Sequence, residues 1–191
     1  MKKRICLFLV PCIVCFGIVG YYWFSELSTA SANEVTASSV PVVSVKVKSN
    51  ETSKIQYAML YDDGGIEELD NTFDVDDAEV FTADVNNFST EVKNNKVVNS
   101  LVSTVVIDNS GNEIEADTEI AKLLNTLSDT VDHGIIEAKI FKEGQKYFVA
   151  VQTNVNLQSP CVFYEYDQNE GTLEELFAWN DVEITGVALA K

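Results

Sequence analysis

The sequence predicts an α+β protein: an antiparallel β-meander sheet with one amphipathic helix packed on one face, preceded by an N-terminal membrane-spanning or signal helix. Three observations lead there. Apolar residues recur at helical spacing only once after the first 40 positions, at Ile120, Leu123, Leu124, Leu127 and Val131. Downstream, apolar runs are separated by turn residues at Ile135–Phe141, Lys146–Thr153, Cys161–Tyr166 and Leu173–Trp179, with Val182–Leu189 a candidate fifth strand. Upstream, Ile5 to Phe24 are 20 consecutive positions without a charge, about 30 Å of helix and one bilayer core.

Lys2, Lys3 and Arg4 precede the uncharged run and no basic residue follows it closely. The positive-inside bias therefore assigns residues 1–4 to a cytoplasmic stub, 5–24 to a transmembrane anchor or signal-peptide core, and the rest to the extracytoplasmic side. Tyr21, Tyr22 and Trp23 suit the interfacial belt of a permanent span, whereas Ala30-Ser31-Ala32 is a small-residue site after which a signal peptidase could cut. Two locations stay open, tethered to the membrane or secreted after cleavage following Ala32. Residues 25–40 are small and polar and read as a tether, and the extracytoplasmic domain occupies 41–191.

Within that domain, Val43, Val45 and Val47 alternate with Ser44, Lys46 and Lys48 as in a half-buried strand. Lys54 to Asp62 gives a second strand, turned by Asp63-Gly64-Gly65 into a return at Ile66–Leu69. Asp70 to Asn95 reads as a long loop around a short strand at Ala78–Val85. Lys96 to Ile107 is one β-branched strand ending in Asp108-Asn109-Ser110-Gly111-Asn112, with a brief return at Glu113–Glu115. The helix follows, with Asp117 as N-cap, Glu119 at the positive end of its dipole and Gly134 just past its last periodic residue. A Glu143-Gly144 turn would pair Ile140 with Tyr147, Ala138 with Val149 and Ile136 with Val151, an apolar face onto which the helix packs.

Thirty acidic residues against 13 basic ones give −17. Setting aside residues 1–32, with Lys2, Lys3, Arg4 and Glu26, leaves 10 basic and 29 acidic residues, a balance of −19. A phosphate backbone is bound by lysine and arginine, so nucleic acid is not an expected partner. Cys6, Cys12 and Cys15 lie in the apolar run, so Cys161 is the sole thiol of the outer domain and is expected buried beside Pro160.

Chemical motifs are sparse. The run Asp74-Val75-Asp76-Asp77-Ala78-Glu79 offers oxygen to calcium but completes no loop motif. Asp108, Ser110, Asn112 and Glu119 echo EF-hand spacing, yet Glu113 stands where the sharp turn needs glycine and a strand precedes. His133 is the sole histidine and is expected to interact with the last helix carbonyls. No catalytic residue, metal ligand or cofactor site is therefore expected. A small hydrolase using paired carboxylates and a calcium-stabilised surface domain are the alternatives. Alternation along the last strands turns some aromatics away from the helix, and Tyr164, Tyr166 and Trp179 are the candidate partner-binding residues for an extracytoplasmic protein or peptide.

The helix followed by three strands from Asp117 to Leu176, with its Tyr-Asp-Gln-Asn-Glu-Gly-Thr-Leu turn at 166–173, resembles the PepSY family over about a third of the chain. The resemblance implies an extracytoplasmic module linked to protease inhibition or cell-surface regulation. Phe163 to Leu176 also resembles part of a β-propeller blade, in a chain too short to close a propeller.

Overall fold

The computed structural model describes residues 39–69, 78–154 and 160–190. The anchor or signal segment, the tether, the Ala32 site and Asp74–Asp77 lie outside these residues. Mostly antiparallel β-sheet with one helix makes up the described part, as expected of an α+β chain.

Strands β9 (Gly134–Glu143), β10 (Lys146–Asn154), β11 (Pro160–Asp167) and β12 (Thr172–Asn180) follow one another as an antiparallel meander. β4 (Glu79–Asp84), β7 (Val105–Ile107) and β8 (Glu113–Glu115) extend this sheet beyond β9, giving the order β12-β11-β10-β9-β4-β7-β8. The turn into β10 differs from expectation by one step. Gly144, at φ +62°, takes the first central position, where a type II′ hairpin wants glycine, so Glu143 stays in the strand opposite Lys146. Ile140 consequently faces Val149 and Ala138 faces Val151. A shift of two residues leaves every side chain on its intended face, while a bulge between Gln152 and Thr153 puts Ile135, in place of Ile136, into the core.

Helix α1 (Thr118–Thr130) covers that face. Asp117 caps it, its carboxylate accepting from the Glu119 and Ile120 N–H groups at 3.0 and 2.8 Å. Ile120, Leu123, Leu124, Leu127 and Val131 are buried against Ala138, Ile140, Tyr147, Val149 and Val151. No glycine ends the helix: Val131 closes it in an extended conformation, and Gly134 already belongs to β9.

The opposite face of the meander is also covered, which the sequence pattern does not reveal. Every residue of β10 from Tyr147 to Val151 is buried, so its alternate side chains Phe148 and Ala150 belong to a second core. That core is roofed by a four-stranded sheet in the order β13-β1-β2-β3, built from β13 (Val182–Leu189), β1 (Pro41–Ser49), β2 (Ile55–Tyr61) and β3 (Ile66–Leu69). The candidate fifth meander strand, β13, therefore leaves the sheet. It turns at Asp181, which adopts φ +56°, and pairs with β1 at the other end of the chain. Across the two layers Lys139 bonds Glu183, and Gln152 Nε2 donates to the Val182 carbonyl at 3.5 Å.

Lys96 to Ile107 is not one strand but two, β6 (Lys96–Leu101) and β7. The expected loop before it contains β5 (Phe88–Lys93), which pairs with β6 as a separate two-stranded ribbon. Asn94 and Asn95, at φ +52° and +62°, form the two-residue type I′ turn between them.

Candidate interaction surface

The aromatic residues singled out by sequence do not form one exposed patch. Tyr164 and Tyr166 point to the helix side of the meander, where Tyr166 is 4% exposed within the core and Tyr164 packs half-buried against it. Trp179 pairs with Cys161 on the other side and is 7% exposed. The physical reason is the second sheet, which occupies the face that a single-sheet domain would leave open. Phe148, Phe163, Phe177 and Trp179 stack there in succession, with centroids 5.8, 5.3 and 4.6 Å apart. Trp179 Nε1 finds no hydrogen-bond partner among the described residues. Burial first, then the nearby Glu175 and Asp132 carboxylates, push the Tyr164 hydroxyl up to about 12.

The chemical candidates fall into structural places. Cys161 is buried, and desolvation drives its thiol up to about 12 despite a bond from the Ile184 backbone N–H. His133 Nδ1 lies 2.5 Å from the Asp132 carboxylate, just past the helix. The C-cap carbonyl is taken by Asn99, whose Nδ2 donates to Val131 O at 2.7 Å and to the backbone carbonyl of His133 itself at 2.9 Å. Asp108 holds its own turn: the Asn112 backbone N–H, with those of Ser110 and Gly111, keeps its carboxyl below the ordinary range. Glu119 bonds Lys122 at 2.8 Å. Among the described residues no three histidine, cysteine or carboxylate side chains converge as metal ligands, and no helix is long and apolar enough to cross a membrane.

A different surface emerges from exposure. Eight large hydrophobic residues are exposed among those described, and six of them, Val85, Val92, Val98, Val102, Val105 and Ile107, fall within residues 85–107. That stretch carries one acidic residue, Glu91, and two basic ones, Lys93 and Lys96, a balance of +1 in a chain of −17. Low charge together with exposed apolar area is what distinguishes the centre of an interface from ordinary surface.

Buried asparagines fix this region to the body. Asn87 accepts from the Asp84 N–H at 2.9 Å and donates to Ser103 O and Val105 O, clasping the β4–β5 turn to the β6–β7 connection. Asn99 ties β6 to the end of α1 while its Oδ1 accepts from the Thr90 hydroxyl at 2.8 Å. Phe88, Asn99 and Leu101 line the inner side of the ribbon; Val92, on the same side but next to the turn, is 72% exposed. The available sequence signal was the Asn94-Asn95 pair flanked by Val92-Lys93 and Lys96-Val97, a two-residue hairpin signature.

No protein-family model, curated protein or solved structure matches this chain.

Proposed function

We propose that the chain is a non-catalytic binding or regulatory domain on the extracytoplasmic side of a membrane, anchored through residues 5–24 or secreted after Ala32. The observation that carries the binding role is the low-charge, apolar exposure of residues 85–107 on an otherwise strongly acidic protein. The location rests on the uncharged run behind Lys2, Lys3 and Arg4. A non-catalytic role is supported by the burial of Cys161, which leaves its thiol out of reach of a substrate.

The test is capture of partners from native envelope by the full chain, beside Val98→Ser and Val102→Ser variants, which alter exposed side chains. A partner held by the parent and lost with both variants supports the role. Identical capture by all three refutes it. Protection of the domain from protease added to the cytoplasmic side, and its digestion from the opposite side, would establish the location; the reverse pattern overturns it.

A further inference from the structure

We propose that β5 is a self-complementary docking edge through which two copies of the chain pair, antiparallel and centred on Val92. The proposal rests on the assignment of residues 85–107 as an interaction surface and names a second copy as an occupant.

The geometry begins with the turn. Lys93 and Lys96 flank a two-residue hairpin loop and so exchange backbone bonds, which makes Val92 and Val97 a non-hydrogen-bonded pair. The N–H and C=O of Val92, and by the same alternation those of Thr90, point away from β6. Ser89 through Lys93 are all exposed, so this edge faces solvent.

Three antiparallel registers join such outward groups in two copies. Centring on Glu91 sets it opposite the partner's Glu91 and is opposed by like charge. Centring on Thr90 places Val92 opposite the partner's Phe88, which is buried in the core. Centring on Val92 sets Glu91 opposite Lys93 of the partner subunit, and Lys93 opposite the partner's Glu91. The two Val92 residues then exchange both backbone bonds across a two-fold axis, which closes the assembly as a dimer. Within one copy Glu91 and Lys93 already pair at 2.7 Å; association converts two such pairs into one cluster of four alternating charges.

Three other sheet edges, those of β3, β8 and β12, lack this property. β3 carries Glu67 and Glu68, β8 Glu113 and Glu115, and β12 Glu174 and Glu175, with no lysine in any of them. Pairing two copies of any of these strands gathers carboxylates without compensating cations, and like charges set opposite each other oppose pairing. β5 alternates charge about an exposed valine, and a two-stranded ribbon gains most from added strands because it is marginal alone.

The experiment uses the full chain in detergent micelles at about 0.15 M salt, with its mass followed by sedimentation. Doubling of the 21.1 kDa protein mass with concentration is expected. Glu91→Lys sets like charges opposite each other, as does Lys93→Glu, and either alone is expected to weaken association about tenfold or more. The double variant restores the pairing, and the two single variants mixed together form a heterodimer. Under mild oxidant Val92→Cys should cross-link across the axis, where opposed Cα atoms stand about 5.5 Å apart. Ser89→Cys, far from its own copy in this register, should cross-link no more than the parent chain. A parent that stays monomeric, or single variants that associate as well as the parent, overturns the proposal. If that happens while partner capture still depends on Val98 and Val102, only self-pairing falls; if capture is also insensitive to them, the surface assignment falls with it.

Discussion

Asn99→Ala should loosen the ribbon that carries the exposed valines. Asn99 is 4% exposed and makes three hydrogen bonds through its amide: two donated, to Val131 O and His133 O at 2.7 and 2.9 Å, and one accepted from Thr90 at 2.8 Å. At about 1 kcal/mol net per bond, truncation costs roughly 3 kcal/mol and leaves the Val131 and His133 carbonyls without this donor. For a domain of this size each kcal/mol moves Tm by about 2–4 °C, so a fall of roughly 6–12 °C is expected in a calorimetric melt. Asn99→Asp is a sharper probe because it keeps the shape and replaces the donating nitrogen with a carboxylate oxygen facing two carbonyls. It should be at least as destabilising as alanine at pH 7, and less so below about pH 4, where an ordinary aspartate is protonated. Thr90→Val removes only the exposed partner and should cost no more than about 1 kcal/mol. Amide exchange should rise first in β5 and β6. An alanine variant that melts within about 2 °C of the parent, with exchange in the ribbon unchanged, would refute the latch.

Leu123→Ala removes a side chain that is fully buried beneath α1, and chemical denaturation should show a loss of about 2–5 kcal/mol. Lys139→Met removes the cation shared by Glu137 and Glu183 and leaves Glu183 only the longer contact to Lys48 at 3.8 Å; a loss of about 1–2 kcal/mol is expected by the same assay, between exposed and buried pairs in size because the lysine is partly exposed. The Cys161 thiol should resist alkylation in the folded protein and react on unfolding. Its raised value has a definite sign: the folded state favours the neutral thiol, so the stability contribution is intact below pH 9 and is lost progressively as pH rises towards about 12. Native-state labelling at pH 8 as fast as in denaturant would contradict this.

Elements governed by a local rule were legible in the sequence. The five-residue stripe and the Asp117 cap defined α1, because amphipathic period and capping are both properties of one short segment. The β9–β10 hairpin kept its buried face even though its register moved, because a step of two preserves side-chain direction. What local reading could not reach were decisions made between distant segments. An apolar run such as Val182–Leu189 has the same pattern whether it extends the meander or crosses to pair with β1, more than 130 residues earlier in the chain. Local pattern points to nearby His133 and Gly134 at the end of α1, whereas the group that satisfies the C-cap carbonyl of Val131 is Asn99, 32 residues earlier.

The same distinction explains why the candidate surface moved. Aromatic residues on alternating strands offer a binding patch only if one face of the sheet is bare, and β1 and β13, the first and last of the described strands, combine to cover that face. Once Phe148, Phe163, Phe177 and Trp179 are packing material, the sites of exposed apolar area are those that no layer covers, and the β5–β6 ribbon belongs to neither main sheet. β5 carries no hydrophobic pattern for the same reason. A strand exposed at every residue from Ser89 to Lys93 shows no alternation of apolar and polar positions, since alternation records burial on one side. The missing hydrophobic pattern, the exposed Val92 and the unneutralised hydrogen-bonding edge are thus one physical fact, and they locate the region where added strands or a partner would bring most previously solvated surface out of water.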